Sequence, residues 1–106
     1  MIKSFEEFNM NESSVWSGSL YNDGLHKSMD KLSKNSDGSY ILVSVAASDS
    51  NKVTYTFMLN GDVKCDGTVC GKWNPAKPSS IIKFLKTENT EDQEDFDYSG
   101  LLKSLE

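Results

Sequence analysis

The sequence predicts an α+β domain, in which one main helix packs on an antiparallel β-meander of four to five strands and a short C-terminal helix follows. Apolar and polar side chains alternate over residues 53–59, as in a half-buried strand, and apolar residues recur at helical spacing over residues 25–32. Two dipeptides typical of tight hairpins follow the alternating segment, namely Asn60-Gly61 and Asp66-Gly67. A chain of 106 residues provides one domain of this kind.

The main helix is predicted over residues 23–34. Leu25, Met29 and Leu32 have the i, i+4, i+7 spacing that places side chains on one face of a helix. Asp23 is a favourable N-cap residue, because its carboxylate can accept hydrogen bonds from the free N–H groups of the first turn. A run of turn-forming residues then ends the element.

The predicted sheet occupies the middle of the chain. Residues 40–47 are mostly β-branched or apolar, and strands over 53–59, 62–65 and 68–73 are separated by the two hairpin dipeptides. Pro75 ends the last of these strands, because proline has no N–H to donate to a sheet.

Two segments near the C-terminus have weaker patterns. Residues 80–87 fit either a further strand of the meander or a helix capped by Ser79, and the adjacent Ile81 and Ile82 favour the strand. A short terminal helix is predicted over residues 100–105, where leucines recur.

Charge divides the chain into three parts. Residues 1–12 contain one Lys and three Glu, residues 13–86 contain nine Lys and six Asp, and residues 87–106 contain one Lys and seven acidic residues. The net charge of −5 therefore separates into −2, +3 and −6. We interpret these parts as a leader-like amphipathic segment, a single α+β domain, and an acidic tail with a short terminal helix. The tail should be mobile, because like charges repel and little apolar surface offsets the entropy of ordering.

Two aromatic residues within the acidic tail make it a candidate interaction segment. Phe96 and Tyr98 can dock on a basic pocket of a partner or fold back on the body, whereas the simpler interpretation is a solvated tail. The candidate partner-binding residues are Glu91, Asp92, Glu94, Asp95, Phe96, Asp97 and Tyr98.

No arrangement of residues in the sequence indicates catalysis. His26 is the only histidine, which is too few for the usual zinc site. In the hairpin around Asp66-Gly67, Cys65 and Cys70 occupy diagonal rather than opposed positions, so we expect two free thiols. The sequence predicts a non-enzymatic protein without a cofactor or metal ion.

A second interpretation is a single-stranded nucleic-acid-binding module with a regulatory acidic tail. The predicted register places four candidate residues on one face of the sheet, namely Tyr55, Phe57, Lys64 and Trp73. Aromatic side chains on a sheet can stack on bases while lysines neutralise phosphates. The absence of Arg and a body charge of only +3 weigh against this function, and the same aromatic residues also fit a core covered by the helix.

The N-terminal segment contains a motif of Lys, a hydroxyl residue, an aromatic residue, Glu-Phe, and then an apolar residue two positions before Glu. The matching residues are Lys3, Ser4, Phe5, Glu7, Phe8, Met10 and Glu12. This pattern resembles the capsid-targeting leader of internal head proteins from large contractile-tailed bacteriophages. In that family the leader is cleaved, which would place processing between Glu12 and Ser13. The alternative is an ordinary short amphipathic segment.

The resemblance implies a small protein that is packaged in the phage head, trimmed, and injected with the DNA into the host cytoplasm. Members of the family include compact α/β inhibitors of host restriction enzymes, which act by binding. We therefore expect a phage accessory protein that binds and inhibits a host protein, such as a restriction or defence factor. The alternatives are the nucleic-acid-binding module and a structural or assembly protein without a ligand. No apolar run is long enough for a membrane span, so no membrane partner is expected.

Overall fold

A six-stranded antiparallel sheet and two helices form the fold of this computed structural model, which describes residues 12–46, 51–88 and 93–105. The strands are β1 (Glu12–Gly18), β2 (Met29–Asn35), β3 (Tyr40–Val45), β4 (Lys52–Phe57), β5 (Asp62–Cys65) and β6 (Thr68–Lys72). The helices are α1 (Ser80–Glu88) and α2 (Ser99–Leu105), with a 3-10 turn at Gln93–Asp95 between them. The predicted α+β class and antiparallel meander are confirmed, with six strands rather than four to five and two helices.

The strands lie in the sheet in the order in which they occur along the chain, so every pairing joins sequence neighbours. β1 and β6 are the two edges. None of the helices in the described ranges is long and apolar enough to cross a membrane.

The prediction of a helix over residues 23–34 is wrong, because the second half of that segment is strand β2 and the first half is an irregular turn. Leu25 is 89% exposed and Met29 72% exposed, whereas Leu32 is buried, so the three residues of the supposed apolar stripe do not share one face. The Asp23 carboxylate does accept N–H groups, but it closes a short turn instead of starting a helix. Pairing of β2 with a strand on each side outweighs the weak local preference for a helix.

The strand favoured over residues 80–87 is also wrong, since this segment is helix α1. Ile81, Ile82, Phe84 and Leu85 are buried, which is the spacing of one helix face. The two isoleucines were misleading because a β-branched residue lowers helix propensity only slightly when its side chain is buried against a sheet.

The core lies between one face of the sheet and the two helices. Its fully buried side chains are Phe57, Leu32, Leu42, Ile81, Leu85, Leu101 and Val63. Phe57 makes edge-to-face contacts with Trp73 and Phe84, at centroid distances of 5.6 and 5.7 Å. Gly71 lies beneath the Phe84 ring, where an added Cβ would stand 2.5 Å from a ring carbon, so only glycine allows this close approach.

Part of the acidic tail, residues 95–101, contacts the body of the domain. Asn22 N–H donates to the carbonyl of Asp95 and Asp97 N–H donates to that of Leu20, both at 2.9 Å. Tyr98 is only 8% exposed and Leu101 is fully buried. The short terminal helix is confirmed as α2. Glu91 and Asp92 lie outside the described residues.

The expectation of free thiols is wrong, because Cys65 and Cys70 form a disulfide. In the β5–β6 pair, Lys64 faces Val69 and Val63 faces Gly71, so Cys70 is an extra residue in a β-bulge. Without the bulge, Val63 would lie opposite Cys70. The bulge instead brings the two cysteine Cα atoms to 5.7 Å, within the range that a disulfide spans.

Candidate functional site

The face of the sheet that points away from the helices, here called the open face, is one candidate binding surface. None of the described helices packs on it. On β3, Ile41, Val43 and Val45 point to this face and are partly exposed, while Leu42 between them points into the core. A shallow groove runs along these three side chains and extends to Met29 and Lys31 on β2. The open face therefore presents an apolar row at its centre.

Lysines flank the apolar row on both sides. Lys31 on β2 is the partner of Val43, and Lys52 on β4 is the partner of Val45. Lys64 on β5 pairs with Thr56 and lies farther along the same face. Within the described ranges the ion pairs are those of Asp23 with His26 and of Asp62 with Lys72, so Lys31 and Lys52 have no ion-pair partner there. Lys64 lies near enough to Asp62 that its charge helps to lower the pKa of that carboxyl.

The four residues of the predicted nucleic-acid face do not form one surface. Phe57 is 0% exposed and Trp73 7% exposed, and Tyr55 packs edge-to-face against Phe84, so these rings belong to the core side of the sheet. Lys64 points the opposite way. The buried rings of Phe57 and Trp73 cannot stack on bases, and Lys64 lies on the other face, so the predicted arrangement of the four residues is wrong and the aromatic side chains belong to the core.

The error in that face has a definite origin in the β4–β5 turn. Met58 N–H donates to the carbonyl of Asp62, so the turn contains three residues rather than the two expected from Asn60-Gly61. Gly61 takes the positive φ of 94° that such a turn requires. A register change of one residue moves every side chain of a strand to the other face.

A cavity of about 290 Å³ on the helix side of the sheet is the second candidate site. It lies where β2, β3, α1 and the segment before α2 meet. Its lining residues are Leu20, Tyr21, His26, Ser28, Asp30, Leu42, Ser44, Ala46, Tyr55, Leu85 and Phe96.

Among the described residues, the only carboxylate in the cavity lining belongs to Asp30, which is 4% exposed. Its Oδ2 accepts the N–H of Leu20 at 2.9 Å and the hydroxyl of Ser28. The Ser28 hydroxyl oxygen in turn accepts the N–H of Tyr21 at 3.0 Å. The other oxygen, Oδ1, has no hydrogen-bond partner among the described residues. A buried carboxylate oxygen without a donor costs free energy, so Asp30 Oδ1 is the polar atom of the cavity that most needs a hydrogen-bond donor.

The rim of the cavity is a tight turn that Asp23 organises. Its Oδ1 accepts the N–H groups of His26 at 2.7 Å and of Leu25 at 2.9 Å, and these bonds hold the pKa of Asp23 well below its usual range. The His26 ring contributes to the cavity lining, with Nδ1 3.4 Å from the Asp23 carboxylate.

Aromatic side chains line the cavity between the sheet and the acidic segment. Phe96 packs edge-to-face on Tyr21 with a centroid distance of 5.2 Å and stacks on Tyr98 at 5.8 Å. Burial raises the pKa of Tyr55, and the negative charges of nearby carboxylates, Asp30 among them, raise it further. The Tyr55 phenol therefore keeps its proton at neutral pH.

Three of the predicted partner-binding residues of the tail, Phe96, Asp97 and Tyr98, make contacts within the fold. Asp97 Oδ1 accepts the hydroxyl of Ser99 at 2.7 Å and its N–H at 2.9 Å, which lowers the pKa of Asp97 and caps α2. Phe96 lines the cavity, and Tyr98 is buried. Of the acidic residues, Glu94 is exposed and Asp95 partly exposed.

The predicted processing residues lie at the start of an edge strand. Glu12 and Ser13 are the first two residues of β1 and pair with Asn35 and Lys34. Most of the leader motif, residues 1–11, lies outside the described residues.

Asp30 escapes sequence reasoning because the predicted helix places it on the solvent side. If residues 29–35 are assigned as a strand, alternation of side chains places Asp30 on the core-facing side. An acidic residue at such a position would have indicated a candidate site. No cluster of three or more His, Cys, Asp or Glu side chains in the described ranges is suited to hold a metal ion. Comparison with protein-family models, curated proteins and solved structures finds no match to this chain.

Proposed function

We propose that this protein is a non-enzymatic protein-binding module that docks an acidic protein partner on its open face. The observation that carries the proposal is the apolar row of Ile41, Val43 and Val45 on the open face. Lys31 and Lys52 flank this row, and neither forms an ion pair with a described acidic residue. An apolar centre with a charged rim is the usual composition of a protein–protein interface.

Charge complementarity determines the class of partner. Lysines on both sides of an apolar row favour a surface that places acidic side chains around aliphatic or aromatic ones, and they accelerate its association. Asp62, which also lies along this face, is neutralised by its ion pair with Lys72 and does not repel such a partner.

The composition of the open face favours protein over nucleic acid. Binding of single strands depends on aromatic platforms beside the lysines. Here the aromatic side chains of β4 point to the core, and the open face offers aliphatic and hydroxyl side chains, including Thr54 and Thr56.

The leader resemblance extends the proposal to the origin of the partner. A protein delivered from a phage head acts in the host cytoplasm, so the partner would be a host protein such as a restriction or defence factor, which this chain inhibits by occupying its surface. Intact-mass measurement of the protein from virions tests the delivery step: a chain beginning at Ser13 supports it, and absence of the protein from virions contradicts it.

The docking surface is tested by capture from nuclease-treated bacterial host lysate with the full chain and two double variants. Lys31→Glu with Lys52→Glu reverses the charge of the open face. Lys77→Glu with Lys83→Glu makes the same net change at exposed positions on the helix side and is the matched control. We expect one acidic protein to bind the wild type and the control, to bind the open-face variant at least about tenfold more weakly, and to rebind when purified.

Three results contradict the proposal. They are equal binding to all three proteins, loss of binding only in the helix-side control, and recovery only of nuclease-sensitive material. The last result would favour the nucleic-acid-binding alternative.

A further inference from the structure

We propose that the cavity around Asp30 is a binding site for an alkylammonium group. The site lies on the opposite side of the sheet from the open face, so the inference is independent of the proposed docking function. It rests on the unpartnered Asp30 oxygen, the lining of the cavity and its size.

The carboxylate supplies the electrostatic part of the site. Two donors on Oδ2, the Leu20 N–H and the Ser28 hydroxyl, hold the Asp30 side chain in place. Oδ1 is thereby left to accept a hydrogen bond from a ligand. A cationic N–H donor is the strongest match, because it satisfies this atom and neutralises a carboxylate whose residue is only 4% exposed.

No lysine contributes to the cavity lining, and the His26 ring that does so lies against the Asp23 carboxylate, so none of the described ion pairs includes Asp30. The hydroxyl groups nearest along the sheet belong to Ser28 and Ser44, and Ser44 is the direct partner of Asp30 in the β2–β3 pair. Ser44 also lines the cavity and can accept a second N–H of an ammonium group.

The remaining lining suits an organic cation rather than a metal ion. Leu20, Leu42 and Leu85 provide an apolar wall, and the rings of Tyr21, Tyr55 and Phe96 provide aromatic surface. Aromatic rings attract cations through their quadrupole. A single carboxylate beside apolar walls lacks the several oxygen ligands that Mg²⁺ or Ca²⁺ requires.

The volume limits the ligand to a small amine. About 290 Å³ corresponds to roughly ten water molecules at their liquid volume, which accommodates an ammonium group with a short apolar or aromatic body. The same chemistry is available from a free amine or from a lysine side chain of a partner protein whose stem follows the apolar wall.

The test titrates the full chain with 2-phenylethylamine and with 2-phenylethanol, its uncharged counterpart, while backbone amide resonances are recorded by NMR. We expect the amine to shift resonances of residues that line the cavity. We also expect it to bind at least about tenfold more tightly than the alcohol, because only the amine offers a charge-assisted hydrogen bond to Asp30.

Two substitutions of the same type separate the site from general electrostatics. Asp30→Asn keeps an acceptor for Leu20 and Ser28 but removes the charge, and it should weaken amine binding by about tenfold or more. Asp66→Asn is the matched control, since Asp66 is exposed in a turn at a φ of 51° that Asn also adopts. It should change the affinity by less than about twofold, because an exposed charge is screened by solvent.

A further variant keeps the test decisive if Asp30→Asn does not fold. Ser44→Leu fills the cavity from the neighbouring strand without altering the carboxylate, and it should abolish binding of the amine. Preserved amine affinity in this variant would contradict the proposed location.

The arms of the titration also identify the source of the ammonium group. Tighter binding of N-acetyl-lysine methylamide than of 2-phenylethylamine would assign the cavity to a lysine of a partner protein, and the reverse order would assign it to a small free amine. Equal binding of amine and alcohol, shifts confined to residues outside the cavity, or no binding of any probe would overturn the proposal.

Discussion

The two faces of the sheet have opposite chemistry although the same strands supply both. On β4, Tyr55 and Phe57 point toward the helices and pack in an aromatic core, whereas Thr54 and Thr56 point outward among lysines. On β3, Leu42 is fully buried while Val43 beside it stays partly exposed. The comparison shows how alternation lets one strand contribute to stability with half of its residues and to recognition with the other half. The two faces should therefore respond differently to substitution.

The largest effect is expected inside the core. Phe57→Ala removes a fully buried ring that packs between Trp73 and Phe84, and it should lower the free energy of unfolding by about 3–5 kcal/mol. Urea denaturation followed by fluorescence measures this change. Thr56→Ala on the open face is the adjacent control and should cost less than about 1 kcal/mol. Equal losses for the two variants would contradict the distinction between the faces.

The next effect is expected at the disulfide, which joins β5 to edge strand β6. Replacement of Cys65 and Cys70 by Ser together should lower the free energy of unfolding by about 2 kcal/mol, because the bond closes only a short loop in the unfolded chain. Reduction of the wild type with dithiothreitol should lower its urea midpoint as much as the double substitution does. An unchanged midpoint would show that the bulge holds the hairpin without the bond.

Acidification tests a third kind of position, the turn carboxylates that belong to neither face. Hydrogen bonds from the His26 and Leu25 N–H groups lower the pKa of Asp23 in the folded state. Its stabilising contribution is therefore complete above the unfolded pKa of about 3.9 and declines as the pH falls toward the folded value. Unfolding measured at about pH 6, 4 and 3 should show a decline in stability that is shallower in Asp23→Asn. Parallel curves would contradict this role.

The smallest effect on stability is expected for the open-face lysines. Lys31→Glu with Lys52→Glu should change the free energy of unfolding by no more than about 0.5 kcal/mol, since both side chains are exposed and outside ion pairs of the described structure. Thermal unfolding checks this directly. A large destabilisation would mean that the open face supports the fold, and the loss of partner binding in this variant would then have to be attributed to unfolding.

The elements predicted correctly from the sequence are those determined by local signals. Alternation and turn dipeptides identify β3 to β6, and recurring leucines identify α2, because these patterns encode neighbouring contacts. The signals failed where distant partners decide the structure. The helical spacing of Leu25, Met29 and Leu32 is a coincidence of the sequence, because β2 is a strand that pairs with β1 and β3.

The candidate sites were less predictable than the fold because they depend on register. One additional residue in the β4–β5 turn places Lys64 away from Phe57, and one bulged residue brings Cys70 to Cys65. Neither offset leaves a clear trace in the sequence. Asp30 could not be predicted as a site residue for a similar reason, because the direction of its side chain depends on β2 being a strand.

The order of the strands has a consequence for how the protein is made. Every pairing joins consecutive strands, so the sheet can assemble hairpin by hairpin as the chain leaves the ribosome. The contact of residues 95–97 with residues 20–22 is the exception, because it joins opposite ends of the described chain. Phe96 arrives with that contact and completes the wall of the cavity. The open face is thus complete once β6 has been translated, whereas the Asp30 cavity is finished only when the later segment around Phe96 has followed.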